Sequence, residues 1–232
     1  MYGYYYGIDY TYLIFVLPAI IISMIAQFKV NSTFAKYNKM SNTRGITGAD
    51  VARRILDSNG LSSVVIEHVR GNLTDHYDPK SRVLRLSDSV FGSSSIAALG
   101  VAAHECGHAI QHAHGYAPLS LRNTVFPLVR ISSSLSVPLI IIGLMVNTSS
   151  LLMLGIILFS AVVAFQIITL PVEFNASKRA LTILADSNYL YDDEINGAKK
   201  VLSAAALTYV ASALTSLMQL LRFLVIARNR RD

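Results

Sequence analysis

Two long uncharged stretches dominate the pattern of apolar and polar positions in this chain of 232 residues. Residues 10–28 carry no charge for 19 residues, and residues 131–172 carry none for 42. A helix needs about 20 mostly apolar residues to cross the hydrocarbon core of a bilayer. The first stretch therefore predicts one membrane span. The second predicts two spans, joined by a tight polar turn at residues 147–150.

The region between these stretches has the pattern of a small folded domain. Thr47, followed by an apolar face over residues 51–56, predicts a helix that ends at Asn59-Gly60. Short runs of β-forming residues follow at 64–69, 73–77 and 83–86. A turn over residues 70–72 separates the first two runs, so we expect a small antiparallel sheet.

The chain after residue 170 predicts two further helices. Pro171-Val172-Glu173 has the composition of a helix start, because proline is favoured in the first turn. A last helix is expected over about residues 194–227, and its uncharged part, 201–221, is long enough for a fourth span. Spanning would carry Arg228, Arg230 and Arg231 to the outer face, against the usual charge bias, so the pattern leaves its topology open.

The whole pattern predicts a mainly α-helical integral membrane protein with a small antiparallel β-sheet. Only 15% of the residues are charged, against about 25% in an average soluble domain. The expected organisation has four parts: 1–28, an N-terminal tail with the first span; 29–130, an extramembrane region; 131–170, a membrane hairpin; and 171–232, the two C-terminal helices.

The distribution of charge predicts the topology. Residues 29–130 hold 12 of the 20 Lys and Arg residues, whereas residues 1–28 hold none. Cytoplasmic loops carry an excess of Lys and Arg, so we expect the N-terminus outside and the loop 29–130 in the cytoplasm. The net charge of +6 is then explained by topology and attraction to the anionic bilayer surface. It does not require a nucleic-acid partner.

The residues His104-Glu105-Cys106-Gly107-His108 carry the candidate chemistry. Two histidines four apart lie on one helical face, where both imidazoles can reach one zinc ion. A glutamate directly after the first histidine can take a proton from the attacking water as a general base. The context favours a helix over a chance match, since serines at 93–95 offer N-cap oxygens and Gly115 offers an end. Cys106 is expected to be a small buried hydrophobe.

A third protein ligand is needed, because catalytic zinc usually has three protein ligands and an open position. His114 has the spacing of another metallopeptidase pattern, but that pattern needs glycine where this chain has Gln111. Glu173 is the first charge after the long apolar stretch and is expected on the same side of the membrane as His104. The residues alone leave two alternatives for Glu173: a metal ligand, or an interfacial carboxylate paired with Lys178 or Arg179.

The segments AAHECGHAIQ (102–111) and LPVEFNASKRA (170–180) resemble the YugP-type family of neutral zinc metallopeptidases in bacterial membranes. More distantly they resemble membrane-embedded CaaX-protease-like gluzincins. The likeness extends to residues 75–79, 84–87 and 204–209, and so covers most of the chain.

This resemblance implies one zinc ion bound by His104, His108 and Glu173, with Glu105 as the catalytic acid and base. It also implies a zincin-like catalytic helix packed on the membrane helices. The family more often has aspartate where this chain has Asn175. Asn175 lacks the charge to hold a ligand histidine as a carboxylate would, although it can accept a hydrogen bond.

Three classes of function compete. We expect a membrane-bound endopeptidase that cleaves peptide or protein substrates on the cytoplasmic side and binds them along an edge strand, either 73–77 or 83–87. His76, His112 and Tyr209 are all candidates for the group that stabilises the oxyanion. The alternative is a non-catalytic, zinc-containing membrane scaffold or adaptor. A transporter is disfavoured because the expected spans contain no ionisable residue of the kind that marks an ion pathway.

Overall fold

The structure, a computed structural model, describes residues 10–229. Over that range the chain is mainly α-helical, with one small sheet, which confirms the predicted fold class. The helices are α1 (Leu17–Tyr37, after a π-helical segment Tyr12–Val16), α2 (Gly48–Ser58), α3 (Ile96–Ala113), α4 (Ala117–Met145), α5 (Ser149–Asp186) and α6 (Asp192–Arg228). The strands are β1 (Val65–Val69), β2 (His76–Asp78) and β3 (Val83–Ser87). The first nine residues of the N-terminal tail, as well as Arg230 and Arg231, lie outside the described range.

Four helices of the described range are long and apolar enough to cross a membrane: the segment Tyr12–Tyr37, α4, α5 and α6. Two long helices meet at the predicted polar turn, since α4 ends at Met145 and α5 begins at Ser149. Asn147 adopts a φ of 53° in the turn between them, a left-handed conformation that asparagine tolerates well. The last helix, which the sequence left open, qualifies as a candidate span by length and composition.

The expected helix start at Pro171 is wrong. Pro171 lies inside α5, which continues without a break for 38 residues. Proline removes one backbone hydrogen bond from a helix interior, but membrane helices tolerate this loss when neighbouring groups satisfy the freed carbonyl. One helix therefore carries both the apolar stretch of a span and Glu173.

One of the two compact units of the chain consists of the described parts of 1–25, 125–167 and 210–232. Small residues allow α4 and α5 to pack closely there: a Cβ added at Gly143 would lie 2.5 Å from the backbone nitrogen of Leu152. Helices α1 and α6 are joined by a hydrogen bond of 2.9 Å between the hydroxyls of Ser23 and Thr215. Small residues and hydroxyl contacts of this kind are typical of helix packing in lipid.

The second unit comprises residues 26–124 and 168–209, and it holds the main hydrophobic core. Helix α2 begins where predicted, because Thr47 and Asp50 form a reciprocal capping box. Its apolar face, including Ile55 and Leu56, is fully buried in this core, where α2 packs mainly against α3. The core thus surrounds α3, the helix that bears the histidine pair.

The sheet is mixed, which corrects the expectation of an antiparallel one. Its strand order is β1-β3-β2, with β1 parallel and β2 antiparallel to β3. The chain does not fold back at 70–72 into a hairpin, because the following segment is held across the end of β3. Asp88 accepts a hydrogen bond from the backbone N–H of Gly71 (2.7 Å), and Asp75 accepts one from the N–H of Ser87 (2.7 Å). β3, buried except at the partly exposed Arg85, is therefore the central strand, so the expectation that 83–87 could be the edge strand is wrong, and β2 is an edge strand.

Candidate active site

Helix α3 presents both histidines on one side, as the spacing predicts. The side chain of Ser95 caps its start by accepting a hydrogen bond from the N–H of Ala98, and Gly115 (φ 59°) follows its end. The rings of His104 and His108 lie edge to face, with their centroids 4.8 Å apart. Both predicted helix ends are thus confirmed, and the two imidazoles are neighbours.

Glycine at position 107 allows α5 to approach this face of α3. A Cβ added at Gly107 would lie 2.7 Å from the carbonyl oxygen of Ala176 and 3.2 Å from its Cα. Ala176 and Ala180 of α5 are fully buried, which continues the close packing along the helix. Glu173 lies one helical turn before Ala176, so this contact brings its side chain to the histidines.

The side chains of His104, His108 and Glu173 converge on one point. Glu173 Oε2 lies 3.3 Å from His104 Nε2 and 3.5 Å from His108 Nε2. Their three ligand atoms all lie within 4.8 Å of one another. Within residues 10–229, this is the one group of three or more His, Cys, Asp or Glu side chains close enough to hold a metal ion.

A cation fits this site because one carboxylate oxygen there is otherwise unsatisfied. Among the described residues, Glu173 Oε2 is buried and has no hydrogen-bond partner. A buried carboxylate oxygen without a partner is costly, whereas a divalent cation would satisfy it. Two imidazoles and one carboxylate are also a common protein ligand set for catalytic zinc.

Hydrogen bonds on the far side of each ring leave Nε2 free to bind metal. Nε2 of Gln111 donates to the carbonyl of Val172 (2.8 Å) and to Oδ1 of Asn175 (3.0 Å), which fixes the orientation of the amide. Gln111 Oε1 therefore accepts the Nδ1 proton of His108 at 3.0 Å. On the other ring, His104 Nδ1 lies 3.1 Å from the hydroxyl of Ser177. Such contacts orient ligand histidines and select their tautomer.

Asn175 contacts Gln111, which in turn contacts His108, instead of orienting a histidine directly as a carboxylate would. Its Oδ1 accepts hydrogen bonds from Gln111 and, at 2.8 Å, from Nε of Arg179. Arg179 is thus occupied by Asn175. Among the described residues, neither Arg179 nor Lys178 forms an ion pair with Glu173. The structure therefore does not contain the alternative arrangement, in which Glu173 pairs with Lys178 or Arg179.

Glu105 lies beside the three convergent side chains and is held by the sheet. It is 8% exposed, and its Oε2 accepts a hydrogen bond of 3.0 Å from the backbone N–H of Tyr77 in β2. A cavity of about 150 Å³ opens between the sheet and the helices. Its lining includes Glu105, His108, Glu173, His76, Tyr209, Arg122 and Asn123.

The structure distinguishes among the remaining histidines and the cysteine. His76 lines the cavity, whereas His112 lies at 3.0 Å from the hydroxyl of Tyr77 through its Nδ1 and lines a neighbouring cavity. His114 is an exposed residue at the end of α3, outside the convergent group. Cys106 is fully buried with its Sγ 3.6 Å from the carbonyl of Ala52, and this burial raises the pKa of its thiol.

Sequence reasoning missed four polar residues around this site. In the sequence pattern Gln111 stands out only as the residue that replaces a glycine, although a polar residue one turn after His108 indicates a possible hydrogen-bond partner for that histidine. Ser177 lies four residues after Glu173 and therefore on the same helical face. Arg122 and Asn123, on α4, reach the cavity only through tertiary packing, so no local pattern points to them.

Comparison with known proteins gives the family. The chain belongs to the family described as "Putative neutral zinc metallopeptidase", whose model matches residues 12–228. It is 54% identical over 216 residues to the "Putative membrane protease YugP" of Bacillus subtilis (strain 168), an alignment that covers 93% of this chain and 96% of that protein. No solved structure matches the chain. The resemblance seen in the two motif segments is thus confirmed, as is the assignment to a membrane.

Proposed function

We propose that this chain is a membrane-bound zinc endopeptidase in which His104, His108 and Glu173 hold one zinc ion and Glu105 is the general base. The observation that carries the proposal is the buried, unsatisfied Oε2 of Glu173 facing Nε2 of both histidines. When bound, zinc would polarise the scissile carbonyl and make a water molecule acidic enough to be activated near neutral pH.

Glu105 moves the protons in this proposal. Its carboxylate takes a proton from the attacking water and then delivers that proton to the amine that leaves. The hydrogen bond from the N–H of Tyr77 holds the carboxylate in a fixed position. His76 and Tyr209 line the same cavity as Glu105, whereas His112 lines a neighbouring one, so the first two are the better candidates for stabilising the oxyanion.

We propose that an extended peptide or protein substrate lies along β2. This strand is at the edge of the sheet, and because the N–H of Tyr77 on its open side is bound to Glu105, a substrate backbone would pair with the carbonyl oxygen of the same residue. An edge strand recognises an extended backbone through main-chain hydrogen bonds. Pro79, which follows β2 and also lines the cavity, has no N–H to offer, so backbone pairing is confined to a short segment around the reacting bond.

The alternative function is a non-catalytic scaffold that keeps zinc for structure. A structural zinc site usually closes its fourth position with another Cys or His. Among the described residues, no fourth such side chain joins His104, His108 and Glu173. A structural site also has no need for a buried carboxylate such as Glu105 beside the metal. The geometry therefore favours the enzyme.

Removal of the metal tests the proposal directly. We expect purified full-length protein to contain one zinc ion per chain and to cleave a casein-type substrate. Treatment with a zinc chelator should abolish cleavage, and stoichiometric zinc should restore it, because three protein ligands create a site with an open position. Metal analysis and the cleavage assay on the same samples measure both. Zinc binding without cleavage of any substrate in a broad peptide library would instead support the scaffold.

We also propose that the site faces the cytoplasm and that the partners of the chain are the bilayer and its substrate, with no role for nucleic acid. The support is the concentration of Lys and Arg in residues 29–130. After residue 60, a fused reporter that works only in the cytoplasm should be active, and a reporter that works only outside the cytoplasm should be inactive. A fusion after residue 147, in the turn between α4 and α5, is the control and should report the outer face. The reverse pattern would contradict this topology.

A further inference from the structure

A basic groove lies between the C-terminal half of α1 and the N-terminal part of α6, apart from the residues of the candidate active site. Its volume is about 610 Å³. Four of the seven lysines of the chain line it: Lys29 and Lys36 from α1, and Lys199 and Lys200 from α6. We call this feature the lysine groove.

Helical spacing places these lysines on two facing stripes. On α1, Lys29, Ser32 and Lys36 follow one another at intervals of three and four residues, which is one face of a helix. On α6, Lys199 and Lys200 precede Ser203, which lines the same groove at the same kind of interval. Both walls therefore offer ammonium groups, and α6 adds the hydroxyl of Ser203, whereas the hydroxyl of Ser32 donates to the carbonyl of Lys29 at 3.2 Å. This combination of charge and hydrogen-bond donors suits the oxygens of a phosphate.

Close packing holds the two walls of the lysine groove at a fixed separation. A Cβ added at Gly197 of α6 would lie 2.8 Å from the ring of Tyr37, and 3.0 Å from the side chain of Ile96 on α3. Tyr37 is itself buried and lines the groove. The groove is thus a feature of the folded unit rather than a chance approach of mobile side chains.

No carboxylate of residues 10–229 pairs with the positive charges of the groove. Among the described residues, none of the four lysines has a carboxylate oxygen within the 4.0 Å of an ion pair. The nearby acidic residue Glu194 instead accepts hydrogen bonds of 2.7 Å from the backbone N–H and the hydroxyl of Thr43. Four ammonium groups around one groove attract an anion.

The position of the lysines along each helix indicates the source of that anion. Lys29 is the first charge after the 19 uncharged residues of the first span, and Lys200 directly precedes the uncharged residues 201–221. Lys29 and Lys200 therefore adjoin the apolar parts of their helices, the place where lipid headgroups are expected. Basic pockets between membrane helices on the cytoplasmic side are suited to anionic headgroups.

We propose that the lysine groove binds the phosphodiester headgroup of an anionic phospholipid. The probe is a short-chain phosphatidylglycerol, titrated into delipidated, full-length protein in a neutral detergent, with short-chain phosphatidylcholine and inorganic phosphate as parallel arms. Thermal unfolding of the protein is followed, since a ligand that binds the folded state raises its midpoint. Phosphatidylglycerol should raise the midpoint at concentrations where the other two probes have no effect.

Two variants that each lose four positive charges separate the groove from general charge. The groove variant replaces Lys29, Lys36, Lys199 and Lys200 with Gln. The control replaces Lys39, Lys80, Lys178 and Arg70 with Gln, all exposed positions outside the groove. We expect the apparent affinity for phosphatidylglycerol to fall by more than about ten-fold in the groove variant only, as each lysine contributes to headgroup attraction. Replacement of the same four groove lysines with Arg should keep most of the affinity.

Three outcomes would overturn the proposal. An equal response of the groove and control variants would show that binding depends on total charge. If inorganic phosphate raised the unfolding midpoint as much as phosphatidylglycerol does, the ligand would be a free anion. If an acidic peptide raised it at lower concentrations than phosphatidylglycerol does, the ligand would be a protein segment. If the Gln variant fails to fold, the Arg variant is the test of the proposal. It keeps all four charges, so a folded Arg variant that no longer responds to phosphatidylglycerol would contradict binding in the groove.

Discussion

Replacement of Glu105 with Gln is expected to reduce peptide hydrolysis by roughly 10³-fold, the scale of a lost general base, and to leave zinc bound. An amide cannot take the proton of the attacking water, whereas the three proposed metal ligands are unchanged. Gln can still accept the hydrogen bond that the N–H of Tyr77 now gives to Glu105, so the fold should persist. Cleavage of a casein-type substrate and metal analysis of the same preparation measure both effects.

Glu67→Gln is the matched control for this prediction. Glu67 is a glutamate on β1 that pairs with Arg85 at 2.9 Å, outside the cavity. Its loss removes the same charge from an exposed pair, which contributes little to stability, and activity should remain near that of the unchanged protein. Retention of more than about a tenth of the activity in the Glu105 variant, far above the loss expected for a general base, would remove Glu105 from this role.

Gly107→Ala should disrupt the proposed metal site without any change to a proposed ligand. The added Cβ would meet the backbone oxygen of Ala176 at 2.7 Å, and backbone cannot move aside as a flexible side chain can. Helix α5 must shift, and Glu173 shifts with it because it lies one turn away. We expect zinc to be lost on dialysis against a weak chelator, together with activity, and a decrease in unfolding free energy of about 1–3 kcal/mol, as for other overpacked cores.

Gly100→Ala provides the control on the same helix. Its added Cβ would lie 3.5 Å from Cβ of Ala198, an ordinary van der Waals contact. Both substitutions raise the helix propensity of α3 by the same amount, so any difference between them reports the contact with α5. The Gly100 variant should retain zinc and be at least as stable as the original protein. Equal zinc retention in both variants would mean that α5 is not positioned by Gly107.

The features that could be predicted from the sequence are those that depend on residues close together in the chain. The span lengths follow from uncharged runs, and the start of α2 follows from the capping pair Thr47 and Asp50. The sheet order could not be predicted in this way, because the parallel pairing of β1 with β3 joins residues that are 18 apart in sequence, such as Val65 and Val83. The local rule also failed at Pro171, where the continuation of an apolar helix outweighs the preference of proline for a first turn.

The same division applies to the candidate site. The pair His104 and His108 can be read from spacing, because one helix fixes their geometry. Glu173 lies 65 residues after His108 in the chain, and its position was suggested by an isolated charge and by family resemblance rather than derived. Helical spacing places Gln111 near His108 and Ser177 near Glu173, but the hydrogen bond between Ser177 and His104 depends on which faces of α3 and α5 meet, which is a property of the folded core.

The unbroken course of α5 has a consequence for specificity. The helix that supplies Glu173 is also a candidate span, so an active form of the proposed enzyme cannot be released from the membrane as a separate soluble domain. Its own diffusion is then confined to the plane of the bilayer, which would favour encounters with chains that are tethered to or emerging from the same bilayer. A cavity of about 150 Å³ would then need to provide less side-chain recognition, because shared location in the bilayer would already restrict which substrates the proposed enzyme meets.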